Sequence, residues 1–350
     1  MKNGVLAGLL ALALAACGST DQTGEGGDPL AGVEITGQVN IYSSRHYDTD
    51  LALYTDFTKQ TGIKVNRIEA EADALIERIV NEKDYSPADL LITVDAGRLW
   101  RAEEAGILAP VDSATLNERL PANLRHPDGL WFGLSTRARV IIYNKNAGAP
   151  EGLTTYEDLA DPSLKGEICM RSSSNIYNIS LLSSIIAHDG ADAAEDWTKG
   201  VVANFKRDPQ GNDSANIEAV ANGECGVSVV NTYYLARLSE TDEGKAMMGK
   251  IGVIFPNQDT TGTHVNVSGA GLVKTAPNRE NAIKFLEYLT SDSAQKYFAN
   301  GNHEYPAVKG IEATSAVEAL GTFKSDTLGA DVIGKNQRRA IEIFDRAGWN

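Results

Sequence analysis

The 350-residue chain is 42% hydrophobic and 23% charged and carries 33 glycines, proportions that exclude a disordered, collagen-like or polytopic membrane protein. Its length favours two domains, or one discontinuous two-lobed body, over a single unit. Thirty-two Lys and Arg against 47 Asp and Glu leave a net charge of −15, which disfavours nucleic acid and anionic lipid surfaces as partners and by itself identifies no ligand.

The chain opens on Lys2 and an apolar run from Val5 to Ala16, closed by Leu14-Ala15-Ala16-Cys17. That is the layout of a secretory signal, with an apolar run too short to span a bilayer. Cys17 in this setting resembles the lipobox of bacterial lipoproteins. Residues 1–17 are therefore expected to be a lipoprotein signal peptide, with Cys17 lipidated after cleavage and the protein tethered at the outer, periplasmic face of the cytoplasmic membrane; an ordinary cleaved signal is the competing reading. The polar, Gly-rich stretch that follows predicts a flexible tether over residues 18–35.

From Val39 the pattern runs strand (VNIYSS), helix (Thr49 to Thr61), strand (KVNRIEA), helix (Ala72 to Glu82), strand (ADLLITV) and helix (Gly97 to Ala105). Such alternation predicts α/β architecture with a parallel sheet. Two extended segments, LWFGLS and ARVIIYN, lead to a turn at Asp161-Pro162. A second α/β set then begins at Glu167: strand, Ser/Asn-rich loop, helices at Ile179 to His188, Ala191 to Asn204 and Ser214 to Ala221, and the strand GVSVVN. The Gly-rich TTGTHVNVSGAGLVK follows, then helices at Glu280 to Leu289, Ser315 to Leu320 and Asn336 to Ala347. The SGAG stretch lacks the helix-opening Lys-Ser/Thr of a phosphate loop and reads as a loop near a hinge; His264 before it reads as structural. Two such sets, joined by long extended segments, suggest two lobes hinged by crossing strands with a ligand between them. In an exported protein Cys169 and Cys225 form an even pair, each in a segment that reads as a strand; a disulfide and two buried thiols both stay open.

Tyrosines carry the chemistry. Tyr47 follows His46 in SSRHYD, Tyr177 lies in SSSNIYN, and Tyr233 and Tyr234 lie in VVNTYYLAR, each just after a strand, where α/β ligand sites form. Packed rings with wet hydroxyls would explain any one of them, but three such segments point to a shared task. A phenolate is a hard oxygen donor whose proton leaves near pH 10, so it becomes a ligand at neutral pH only for a strong Lewis acid. Fe(3+) meets that demand, whereas Ca²⁺ and Mg²⁺ prefer carboxylates and Zn²⁺ prefers His and Cys. The chain has five His and no HExxH.

IYSSRHYDTD, LLITVDAGRLWRAEEAGIL, STRARVIIYNK, NTYYLARL, GTHVNVSGAG and NHEYPA together resemble the ferric-ion-binding extracytoplasmic solute-binding proteins of ABC iron transporters, especially the cyanobacterial-type branch, from about Gly37 to the C-terminus. The resemblance implies a two-lobed periplasmic-binding-protein type II fold with hinge strands and an interlobe cleft. It divides the chain into lobe 1 at 36–133 plus 265–305 and lobe 2 at 134–264 plus 306–350. It implies iron ligands at His46, Tyr47, Tyr177, Tyr233 and Tyr234, with Arg137 and Arg237 behind them to offset phenolate charge or hold a synergistic anion such as carbonate. Arg45 has a weaker claim. Some relatives add a carboxylate after LLIT; Asp95 stands there and is left out of the expected set, which favours a shell filled by side chains. A permease with cytoplasmic ATPases is the implied partner, and a monomer that is not an enzyme the implied form. The alternatives are the same fold binding a small organic anion, phosphonate or polyamine, and a secreted hydrolase or metal-storage protein, although no GxSxG or other strong catalytic motif is present.

Overall fold

The computed structural model describes residues 29–45 and 47–350, so the expected signal peptide with Cys17, the first part of the tether and His46 lie outside the described residues. Strands β1 (Gly37–Ser43) and β2 (Ile63–Glu69) flank helix α1 (Asp48–Thr61), and α2 (Ala72–Glu82) leads to β3 (Leu90–Thr93) and α3 (Ala96–Glu104). The short β4 (Leu108–Ala109) and α4 (Ala114–Arg119) precede the long β5 (Phe132–Asn144). Next come β6 (Ile168–Cys169), α5 (Ile176–Asp189), α6 (Ala191–Ala203), α7 (Asp213–Ala221), β7 (Val227–Asn231), α8 (Thr232–Leu238), α9 (Asp242–Met248) and β8 (Ile251–Ile254). The chain returns through β9 (Val265–Val273), α10 (Arg279–Leu289), α11 (Asp292–Asn302) and β10 (Tyr305–Pro306), and ends with α12 (Ser315–Glu318), α13 (Ala330–Lys335) and α14 (Gln337–Ala347). Among the described residues no helix is long and apolar enough to cross a membrane.

The strands follow the order β2-β1-β3-β9-β5-β7-β6, with β4 on β9 and both β8 and β10 on β5. Expected parallel pairing holds for β1 with β2, β1 with β3 and β6 with β7, but β9 and β5 enter antiparallel to their neighbours, so the sheet is mixed. LWFGLS and ARVIIYN are one strand rather than two. Its first half pairs with β9 from Phe132 to Ala138, and its second half with β7 and β8 from Arg139 to Asn144. β5 therefore belongs to both lobes. The SGAG stretch is not a loop but the middle of β9, between β3 and β5. Its glycines answer to close approach: a Cβ on Gly269 would meet the Phe132 carbonyl at 2.8 Å, and one on Gly271 the Leu130 carbonyl at 2.8 Å.

Strand periodicity gives the sheet two packed faces in each lobe. In the first lobe Leu90 and Ile92 join Val39, Phe57 and Phe285 on one side, while Leu91 joins Tyr42, Leu75 and Leu99 on the other. In the second, Val229 packs with Leu182, Trp197 and Trp349, and Val230 with Val140, Val220 and Cys169. Cys169 and Cys225 are joined in this last core by a disulfide, with Cα atoms 5.9 Å apart. The C-terminal stretch is shared rather than given wholly to the second lobe. Ala307 and Val308 pack in the first lobe's core and Ala330 and Ile333 on its other face, whereas Ala340, Ile343 and Phe344 pack with Trp197.

Candidate ligand cleft

Every tyrosine singled out in the sequence stands at the start of a helix. Tyr47 is the N-cap residue of α1. Tyr177 is the second residue of α5, whose N-cap Asn175 accepts from its backbone N–H, so the helix begins three residues earlier than the sequence periodicity suggests. Tyr233 and Tyr234 lie in the first turn of α8, a helix the sequence pattern does not announce. Asn175 holds the α5 turn, as expected of an Asn cap before an apolar run. Tyr47 and Tyr177 thus leave the backbone at the positive ends of the long helices α1 and α5.

The two lobes bring these rings together. The Tyr177 and Tyr233 hydroxyls are 3.3 Å apart, and the Tyr233 and Tyr234 rings lie 4.3 Å apart between centroids. The Arg237 guanidinium, from the second lobe, stacks over Tyr47 of the first at 5.1 Å and over Tyr233 of its own at 5.2 Å. Burial raises the pKa of all three phenols that shift. Tyr177 is pushed up to about 12 by burial and by Tyr234, against the lowering field of Arg137. Tyr233 is held well above its usual value by burial and by the neighbouring Tyr177, Tyr234 and Tyr47. Tyr47 rises through burial and Glu304, opposed by Arg45, Arg137 and Arg237. At neutral pH these oxygens keep their protons unless something of high charge displaces them.

Buried charges lie beneath the tyrosines on both sides. In the first lobe Glu304 is 1% exposed and accepts from Arg45 at 2.9 Å, from Ser135 at 2.8 Å and from Arg137. Arg45 also pairs with Asp50 at 3.1 Å and lies 5.0 Å from the Tyr47 ring centre, so its weak claim from sequence becomes a definite place in this network. Arg137 donates to the Val94 carbonyl at 2.6 Å and to Ser268; its pKa is raised despite burial, by Glu304 first and then Tyr233, Tyr177 and Tyr47. In the second lobe Asp213, fully buried, accepts from Arg139 at 2.8 Å, from Arg171 at 3.2 Å and from the Asn231 backbone at 2.8 Å. Both guanidiniums face the Tyr177 ring, at 5.7 and 5.3 Å.

Sequence reasoning missed Glu304, Arg139, Arg171 and Asp213. One usable signal was available: STRARVIIYN puts two arginines two apart in an apolar strand, and a cation in a strand core must have a buried partner. Asp95 is occupied otherwise than as a free donor. It caps α3 through the Gly97 N–H at 2.8 Å and accepts from Ser180 and Asn266, both at 2.7 Å. Among the described residues no group of three or more His, Cys, Asp or Glu side chains is gathered as a metal would need. His264 is buried, its ring nitrogens without an acceptor or donor among the described residues, and burial pushes it down to about 4.

A family model described as bacterial extracellular solute-binding protein matches residues 86–328. Iron uptake protein A1 of Synechocystis sp. is 54% identical over 314 residues, covering 89% of this chain and 87% of that protein. The solved structure of a Trichodesmium protein, IdiA or FutA, in complex with iron and citrate ligands superposes with a TM-score of 0.87 at 57% identity, covering 90% of this chain and 100% of that one. A ferric binding protein from Campylobacter jejuni gives a TM-score of 0.84 at 41% identity, with 89% and 100% covered.

Proposed function

The chain belongs to the bacterial extracellular solute-binding protein family, binding proteins rather than enzymes, and from that premise we propose that it captures ferric iron outside the cytoplasmic membrane and presents it to an ABC permease. The observation that carries this reading is the convergence of four phenols from three helix starts in two lobes, bridged by the Arg237 guanidinium. The names of its relatives, an iron uptake protein and a ferric binding protein, support it. The proposed ligands are His46 and Tyr47 from the first lobe and Tyr177, Tyr233 and Tyr234 from the second.

The chemistry follows from charge. Phenols that burial keeps protonated bind only an ion acidic enough to take their protons' place, and Fe(3+) is such an ion. Four phenolates and a neutral imidazole around it leave one negative charge, which Arg137 and Arg237 offset. Reduction to Fe(2+) would leave two, so a lower oxidation state weakens the complex and gives a route to release. Because ligands come from both lobes, the metal itself supplies the differential affinity that populates the closed state. A shell of side chains is the favoured form, with a synergistic anion such as carbonate beside the arginines as its variant. The lipid on Cys17 keeps the monomer near its permease.

Calorimetry of the tether-free protein with ferric citrate, a phosphonate and a polyamine separates this reading from its rivals. One equivalent of iron, confirmed by metal analysis, with no heat from the other two is the expected result. Tight binding of the phosphonate or polyamine without iron would overturn it, and many ions per chain would point to storage instead.

A further inference from the structure

The ion-paired charges beside Tyr177 do not sum to zero. Arg139 and Arg171 share one carboxylate, Asp213, whereas in the first lobe Arg45 and Arg137 face two, Glu304 and Asp50. We infer that Asp213, Arg139 and Arg171 form a positioning unit that holds Tyr177 and the Tyr233–Tyr234 turn in register and leaves one positive charge against the ring of Tyr177. The inference rests on the iron reading and deepens it.

Four contacts make the unit. Asp213 takes the Asn231 backbone N–H, and Asn231 is the N-cap residue of the helix that carries Tyr233 and Tyr234. Arg139 reaches from the hinge-spanning β5 to Asn178, the residue after Tyr177, at 2.9 Å. Asn178 in turn donates to the carbonyls of Arg171 at 2.9 Å and Ser172 at 3.2 Å. Both guanidiniums then lie over the Tyr177 ring, where their charge favours a negative oxygen on that ring. The Nε atoms of Arg139 and Arg171 are buried without an acceptor among the described residues. One carboxylate thus ties together the segments that bring three of the four phenols, while its two cations remain only half neutralised.

The position of Arg171 makes it the residue to vary, because its side chain is 18% exposed and that of Asp213 is not exposed at all. Ferric affinity is measured by competition with citrate, together with the reduction potential of the loaded protein, for the unmodified chain, Arg171→Gln, Arg171→Lys and Asp213→Asn. Loss of the cation in Arg171→Gln is expected to weaken ferric binding by about ten- to hundredfold, the range for groups behind a metal's ligands. It is also expected to lower the potential, since the more negative ferrous complex loses more from a missing cation. Arg171→Lys should restore the potential and part of the affinity. Affinity within twofold of the unmodified protein in Arg171→Gln would overturn the inference. So would equal losses in Gln and Lys with an unchanged potential, which would mark the residue as structural only. Should Asp213→Asn fail to fold, the Arg171 pair still decides. Absence of ferric binding in the unmodified chain would overturn the iron reading and this inference together.

Discussion

The cleft is built from two unlike halves. On the first-lobe side, two arginines and two carboxylates, together with Ser135 and Ser268, form a closed network under Tyr47. On the second-lobe side two arginines share Asp213 under Tyr177. A balanced network anchors its segment with no net charge, although Arg137 still faces the phenols, whereas an under-neutralised one fixes its segment and keeps a net charge available for the ligand. Ionic groups buried at a site can thus differ in role even when their residue types match. The sum of charges, not the count of salt bridges, separates the two.

The comparison can be broken most severely at the phenols. Tyr233→Phe and Tyr177→Phe keep the ring and remove the oxygen, and each should cost ferric affinity at least the hundredfold upper end of effects behind the ligands; unaltered affinity in both would return the tyrosines to packing. Next comes the first lobe's network. Glu304→Gln leaves Arg45 with Asp50 alone and the buried Arg137 with no carboxylate, and about 3–5 kcal/mol of stability should be lost in urea unfolding. A loss below 1 kcal/mol would mean that the network does not anchor the lobe. The disulfide lies only in the second lobe, closing a loop with a sequence separation of 56. Replacing both cysteines with Ser should destabilise that lobe by about 2–4 kcal/mol, with ferric binding retained at low temperature.

Acid sharpens the contrast further. Burial holds the folded His264 at about 4, below its unfolded value near 6.5, so the unfolded chain binds more protons between those limits. Stability should therefore fall by about 1 kcal/mol per pH unit as pH drops from about 6.5 to 4, and His264→Gln should flatten that slope. Glu304 is held at about 2, its arginine partners outweighing burial. Its contribution is present above the ordinary carboxylate range and is lost only as pH falls towards 2. An unchanged slope in His264→Gln would show that the imidazole is solvated. The smallest effect belongs to Tyr85, 92% exposed; Tyr85→Ser should change stability by less than about 0.5 kcal/mol.

Much of this was legible in the chain. Alternating strands and helices gave the α/β class, and strand-end position picked out Tyr47, Tyr177, Tyr233 and Tyr234 before any geometry. The local signals failed where tertiary context overrode them. Gly269 and Gly271 read as a loop because a strand interior disfavours glycine, yet close strand approach requires it there. Helix α8 was silent because its tyrosines satisfied a strand-end pattern first. Asp213, next to the N-cap Asn212, looks like an ordinary acid in a helix's first turn. Nothing local marks its burial, and Glu304 acquires its two arginine partners from residues more than 160 positions away in sequence.

The most direct measurement is the visible spectrum of the protein during titration with ferric citrate. An orange-to-red band from phenolate-to-iron charge transfer should grow to one equivalent, bleach with dithionite and shrink in Tyr233→Phe. A fully loaded but colourless complex would contradict the account.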